Sequence, residues 1–245
     1  MKVLSWNLNH RAARRAIPDW VVSAIEAEAP DLAILTEYVA GPDHHRFLGG
    51  LSAAGLPFVS LSDQVKGENQ ILIASRESLS SGHLFAPAIH SAVPPNALHV
   101  TLNPSRVHCL GFRLPAFKRV DKAFARTTWE WLLKAASELI EYPSIIAGDF
   151  NTALEDSVAD CGDCLRSLVS DGWSHVQPKG GYSFRHAQTG SERRIDHLFV
   201  SPAFVSSGAE YSWGFHKYGG DAASGKVGVP DHAMLLARLN LAPTG

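Results

Sequence analysis

Apolar residues come in short runs bounded by polar or structure-breaking residues, and the spacing changes character along the chain. Lys2–Trp6 is a β-like run. Pro18–Ala29 places Val21, Val22, Ile25 and Ala29 on one helical face, with Pro18 at an N1-like position and Asp19 in the first turn; Pro30 stops it. The run Leu32-Ala33-Ile34-Leu35 within Asp31–Thr36 has the length and composition of a buried strand, so the opening reads as strand, helix, strand. Asp43–Ala54 is a second expected helix, and Pro57–Leu61 and Gln70–Ser75 are expected strands. Leu98–Leu102 and Val107–Phe112 flank Asn103-Pro104-Ser105 and predict a hairpin. Asp121–Ile140 is the longest predicted helix, offering Phe124, Trp129, Leu132, Leu133 and Leu139 as its apolar side. Ser144–Ala147, Ile195–Ser201, Tyr211–Phe215 and His232–Leu239 read as later strands, Cys164–Ser170 as a short helix, and Gly219–Gly228 as a loop. Hairpins mixed with β-α-β passages imply a mixed α/β sandwich rather than an all-parallel sheet. No linker divides the chain, so residues 1–245 read as one domain.

The polar residues that interrupt these runs sit where strands end. Strand one ends at Asn7 and strand two at Glu37. Ser144–Ala147 runs into Gly148-Asp149-Phe150-Asn151, and the later strands are flanked by Asp196-His197 and Asp231-His232. Ligands of α/β proteins collect at strand ends, and a charge buried there without a partner is costly. A strand-end Glu beside an Asn suits a hard cation that takes oxygen ligands. Taken alone, Glu37 and Asn7 fit loop capping and turn hydrogen bonds equally well. Neighbouring strand residues point to opposite faces, so each Asp-His pair would send one member to a shared site, and a His from one pair can be oriented by an Asp from the other. Asp149 and Asn151 would share a face while Phe150 packs on the other.

Composition narrows the partners. Nearly half of the 245 residues are apolar and the formal net charge is −2, so the chain can build a core and has no global basic footprint for nucleic acid. Local basic clusters exist at Arg11, Arg14 and Arg15, at Lys118, Arg119, Lys122 and Arg126, and at Arg185, Arg193 and Arg194; each also fits an ordinary solvated face. No apolar run reaches the ~18 residues of a membrane span, and no signal-peptide pattern opens the sequence, so the expected location is cytoplasmic. Three cysteines argue against a disulfide framework, and Cys161-Gly162-Asp163-Cys164 lacks the partner residues of a zinc or redox site.

Ser5-Trp6-Asn7, Leu35-Thr36-Glu37, Gly148-Asp149-Phe150-Asn151-Thr152, Arg194-Ile195-Asp196-His197 and Pro230-Asp231-His232, in that order, resemble the endonuclease/exonuclease/phosphatase superfamily. Asn69–Arg76 looks like that family's mid-domain strand. The resemblance implies a four-layer α/β sandwich, two mostly antiparallel sheets face to face with helices outside, and hydrolysis of phosphodiesters or phosphomonoesters with Mg²⁺ or Mn²⁺. It implies Glu37 as main metal ligand, helped by Asn7 and Asp231. Asp149 would position or deprotonate the attacking water and Asn151 would hold phosphate or water. His232 would donate to the phosphoryl oxygen, oriented by Asp196. Asn69 joins the expected phosphate contacts. Many members carry His or Tyr where this chain has Arg113, which can clamp a phosphate but cannot serve as a general acid at neutral pH; a rim salt bridge is its alternative use. Arg14, Phe184 and Arg185 are the expected substrate rim, with Phe184 or Tyr182 able to stack on a base. The expected substrate is DNA or RNA. A small phosphorylated molecule or lipid headgroup, and a binding module without catalysis, are the alternatives.

Overall fold

A computed structural model describes residues 1–9, 16–65, 68–87, 96–114, 116, 121–186, 188–219 and 230–242. The first sheet is built from β1 (Lys2–Asn7), β2 (Leu32–Tyr38), β3 (Phe58–Leu61), β4 (Gln70–Ser75), β13 (Phe204–Ser212) and β14 (Met234–Leu241), in the order β13-β14-β1-β2-β4-β3. The second contains β5 (Ser78–Ser81), β6 (Asn96–Asn103), β7 (His108–Arg113), β8 (Ser144–Asp149), β9 (Ser174–His175) and β12 (Asp196–Val200), in the order β5-β6-β7-β8-β12-β9. A hairpin of β10 (Phe184–Arg185) and β11 (Glu192–Arg193) stands apart. Within each six-stranded sheet one central pair is parallel, β1/β2 and β7/β8, and the other neighbours are antiparallel. A helix bridges each parallel pair, α1 (Asp19–Glu28) for β1/β2 and α3 (Lys122–Leu139) for β7/β8, as parallel pairing requires. The remaining helices are α2 (His44–Ala53) and α4 (Gly162–Ser170).

Alternation along the strands creates three apolar seams between four layers. Val3, Leu32, Ile34, Ile71, Ile73, Val100, Cys109, Ile145, Ala147 and Leu198 meet between the sheets. Their strand neighbours Leu4, Trp6, Ala33, Leu35, Leu72 and Ala74 face outward against Val21 and Ile25 of α1 and Phe47 and Leu51 of α2. Leu110, Phe112, Ile146, Phe150 and Phe199 do the same against Trp129, Leu132 and Leu139 of α3 and Leu165 of α4. Strands covered on both faces lose the polar alternation of a half-exposed strand, which is why Leu32–Leu35 reads as an unbroken apolar run. The fold is thus the expected four-layer α/β sandwich with two mostly antiparallel sheets.

Several boundaries differ from expectation. β1, β7 and β8 run one or two residues further than the apolar runs, so Asn7, Arg113 and Asp149 are strand residues. Pro18 precedes the first helical residue, accepts the Val21 N–H, and is not itself at N1. Residues 204–212 form one long strand, so only Tyr211 and Ser212 of the strand expected at Tyr211–Phe215 are extended, and its last two residues begin a 3-10 turn, Gly214–Tyr218. The short helix starts at Gly162, two residues early. β5 was not expected because Ser78-Leu79-Ser80-Ser81 offers almost no apolar signal. Arg14 and most of the 219–228 loop lie outside the described residues. Among the described residues no helix is long and apolar enough to cross a membrane.

Candidate active site

The two parallel pairs point the same way, and their carboxyl ends meet. Asn7 ends β1, Glu37 lies at the end of β2, Arg113 ends β7 and Asp149 ends β8. Asp149 is opposite Arg113 on one side and opposite Asp196, the first residue of β12, on the other. His232, just before β14, completes the group from the first sheet. Six polar residues from six segments thus share one edge of the sandwich, each residue less than 5 % exposed.

Local backbone features aim them. At Gly148 φ is +148°, and an added Cβ would sit 1.9 Å from the Phe112 carbonyl oxygen, so only glycine allows β8 to lie this close to β7 just before Asp149. Pairing between β2 and β4 shifts register between Leu35 and Tyr38, and Glu37 takes φ +53°; such a bulge re-aims a side chain. Asn151 is left-handed as well, at φ +49°, which curls its amide back to Asp149. Phe150 between them is fully buried in the α3 seam.

Asp149 is held by three donors. Asn7 Nδ2 and Asn151 Nδ2 each donate to Oδ2 at 3.0 Å, and the Asn151 backbone N–H donates to Oδ1 at 3.0 Å. Burial, and then the charge of Asp196, push its carboxyl up to about 7, against the pull of His232 and Arg113. His232 Nδ1 is 2.7 Å from Asp196 Oδ2, as the exchange between the two Asp-His pairs predicts. Burial would lower the imidazole pKa, but Asp196, through charge and hydrogen bond, and then Asp149 raise it to about 10. Trp6 Nε1 donates to the His232 carbonyl at 2.9 Å, which ties the start of the chain to the imidazole's backbone. The other members of the Asp-His pairs behave differently. His197 turns to the opposite face, where Nε2–H donates to the Thr152 carbonyl. Asp231 stays near the site, with Oδ1 3.9 Å from His232 Nε2.

Arg113 occupies a buried ion pair with Glu37: Nε and Nη2 both reach Oε1, at 3.1 and 2.9 Å. It belongs to the cleft, not to an exposed rim. The cleft encloses about 530 Å³ and is lined by Glu37, Arg113, Asp149, Asn151 and His232 at its floor, with Phe184, Asp156, Asp160, His186 and Arg193 on its walls. Phe184 packs on His232 with ring centroids 4.9 Å apart. In the β10–β11 hairpin Phe184 is opposite Arg193, and Arg185 is opposite Glu192. Phe184 and Arg193 therefore share the cleft face, and Arg185, expected at the rim, lies exposed on the other. Tyr182, the alternative stacking residue, packs on Trp213 instead. Asn69 sits at the same sandwich edge, just before β4, and accepts Asn96 Nδ2 through its backbone carbonyl at 2.5 Å. Asp156, bonded to Arg193 at 2.5 Å, and Asp160, the last residue of a 3-10 turn (Val158–Asp160), were not foreseen; their stretch of sequence carries no apolar periodicity.

Ligand atoms of Asp149, Asp196 and His232 lie within 4.8 Å of one another, close enough to hold a metal ion. Asp196 Oδ1 is buried and has no hydrogen-bond partner among the described residues. Four carboxylates (Glu37, Asp149, Asp196, Asp231) face two cationic groups (Arg113, His232), a surplus of negative charge that suits a divalent cation.

Comparison with known proteins places this arrangement. No curated protein sequence matches the chain. A crystal structure from Beutenbergia cavernae described as endonuclease/exonuclease/phosphatase superposes with a TM-score of 0.73 at 19% identity, covering 99% of this chain and 72% of that one. The 3'-5' exonuclease from Neisseria meningitidis gives 0.72 at 18% identity over 98% and 100% of the two chains. An AP endonuclease from Archaeoglobus fulgidus gives 0.71 at 17%, again over 98% and 100%. At these identities the likeness establishes a shared fold. The family model for Endonuclease/Exonuclease/phosphatase matches residues 4–224, and the chain belongs to that family.

Proposed function

We propose that the protein is a Mg²⁺- or Mn²⁺-dependent phosphodiester hydrolase acting on DNA or RNA. The observation that carries this reading is the buried group of Asp149, Asp196 and His232, of which Asp149 and His232, together with Glu37, Arg113 and Asn151, line an open cleft. Glu37, helped by Asn7 and Asp231, would hold the cation. When bound, the cation would neutralise charge on the phosphate's non-bridging oxygens. Asp149, with its carboxyl raised and both oxygens fixed by Asn7 and Asn151, is placed to take a proton from water at neutral pH. His232 remains protonated at neutral pH. Its Nδ1–H is committed to Asp196, so Nε2–H is the bond available to a phosphoryl oxygen. Asn151 holds the water or phosphate beside Asp149. Phe184 offers a flat apolar wall for a base, and a structural neighbour from Neisseria is described as bound to a DNA hairpin.

A second reading, hydrolysis of a small phosphorylated molecule, is favoured by the wall charges. Arg193 is neutralised by Asp156, and Asp160 adds a further carboxylate, so the described cleft is poorer in cationic charge than a nucleic-acid footprint.

The test is hydrolysis of single- and double-stranded DNA, abasic DNA, RNA, bis-p-nitrophenyl phosphate and inositol phosphates with Mg²⁺ or Mn²⁺, with and without EDTA. EDTA should abolish turnover and added metal restore it. Asp149→Asn should lower kcat by roughly 10²–10⁴-fold with an unchanged circular dichroism spectrum. Full activity in EDTA or in Asp149→Asn defeats the proposal. A steep loss of substrate affinity with salt selects nucleic acid over a small substrate.

A further inference from the structure

On the proposed reading, a metal held by Glu37 would sit on the same buried carboxylate that Arg113 now pairs with. Both donors of Arg113 converge on Glu37 Oε1, and the two side chains are only 5% and 3% exposed. At that burial a divalent ion and a guanidinium competing for one carboxylate repel each other strongly. Arg113 also lines the cleft together with Asp149, Asn151 and His232, so its guanidinium can leave Glu37 by side-chain rotation and remain beside any phosphate lying over them. A guanidinium leaving a buried carboxylate needs another anion, and phosphate matches its geometry.

We propose that Arg113 is a tethered counter-ion of Glu37 that the divalent cation must displace, and that the displaced guanidinium then binds the substrate phosphate, so that metal and phosphate bind cooperatively. The proposal rests on the metal-dependent phosphoesterase reading of this cleft. It makes Arg113 a coupling device: with no phosphate present the arginine holds metal affinity down, and phosphate relieves that competition. By linkage, metal must raise phosphate affinity by the same factor.

The test is titration with Mn²⁺ alone and with Mn²⁺ in saturating inorganic phosphate, followed by calorimetry and by Mn²⁺ paramagnetic resonance. For the wild-type protein phosphate should tighten Mn²⁺ binding at least about fivefold, the low end of typical coupling. Arg113→Gln should bind Mn²⁺ alone at least about fivefold tighter than wild type and lose most of the phosphate effect. It should also be less stable than wild type without metal, because the buried Glu37 loses its guanidinium counter-ion, and Mn²⁺ should raise its Tm more than it raises the wild type's. Glu37→Gln should weaken Mn²⁺ binding in either background. Arg113→Gln binding Mn²⁺ no tighter than wild type, while Glu37→Gln still weakens it, overturns the coupling and leaves the metal site standing. Absence of Mn²⁺ binding in wild type and Arg113→Gln alike overturns both. Should Arg113→Gln not fold, Arg113→Lys decides. Lysine keeps the ion pair but lacks the planar fork, so its Mn²⁺ affinity should match wild type and its phosphate effect should shrink; an undiminished phosphate effect overturns the proposal.

Discussion

Gly148 shows how a single residue without chemistry can govern those that have it. It separates the apolar run Ser144–Ala147 from Asp149, and its missing Cβ is what permits contact with the Phe112 carbonyl. Gly148→Ala would have to separate β8 from β7 at the point where Asp149 faces Arg113. A loss of at least ~2–3 kcal/mol in denaturant unfolding is expected, with hydrolysis impaired even where the variant folds. An unaltered unfolding midpoint would show that the sheet edge can spread without cost. At this scale the sequence was informative. Asn7, Glu37, Asp149, Asn151, Asp196 and His232 stand out because each interrupts an apolar run, and all six reach the same edge. The pairing of Arg113 with Glu37 was not legible: the two are 76 positions apart, and nothing local in either segment encodes the other.

Among the elements, helices and central strands announced themselves through period and composition, whereas short strands did not. Ser78–Ser81 and the two-residue strands β9, β10 and β11 exist because a neighbour offers an edge, not because their residues prefer extended backbone. The hairpin of β10 and β11 is the functional cost of that blindness: without its register, Arg185 and Arg193 look alike, yet only Arg193 lines the cleft. The helix α3, by contrast, starts where sequence says it should. Asp121 Oδ1 accepts the Phe124 N–H at 2.7 Å as its cap. Asp121→Ala should cost about 1 kcal/mol of unfolding free energy while leaving KM unchanged, as measured by urea titration and steady-state kinetics.

For the whole molecule, buried imidazoles set the response to pH. Burial lowers His99 and His197 to about 4 and His175 to about 3. His197 Nε2–H is committed to the Thr152 carbonyl, so its Nδ1 accepts from His175 Nε2, 3.0 Å away. These groups stay neutral in the fold and ionise near 6.5 when unfolded. Their stabilisation is complete above pH 6.5 and disappears as pH falls toward 4. His232 has the opposite sign: raised to about 10, it stabilises fully below pH 6.5, and that contribution fades as pH rises toward 10. Asp149, raised to about 7, likewise loses its contribution between about pH 4 and 7, partly offsetting the acid limb. Thermal unfolding in EDTA should therefore give a maximum near neutrality with loss on both sides, and His232→Asn should flatten the alkaline side alone. A wild-type midpoint independent of pH between 7 and 10 would contradict the charged state assigned to His232.

The order of strands has a consequence for synthesis. The second sheet uses strands from one continuous stretch, residues 78–200, whereas the first takes β1–β4 from before it and β13–β14 from after it. β1 is flanked by β2 and by β14, so β1 acquires one of its two partners only when β14, more than 200 residues later, has been made. His232 immediately precedes β14, and its carbonyl is then met by Trp6 of β1. A nascent chain can thus assemble its second sheet early and still lack both β14, an interior strand of the first sheet, and the imidazole of the cleft. Closing the first sheet through β14 and bringing His232 to the cleft are therefore one event.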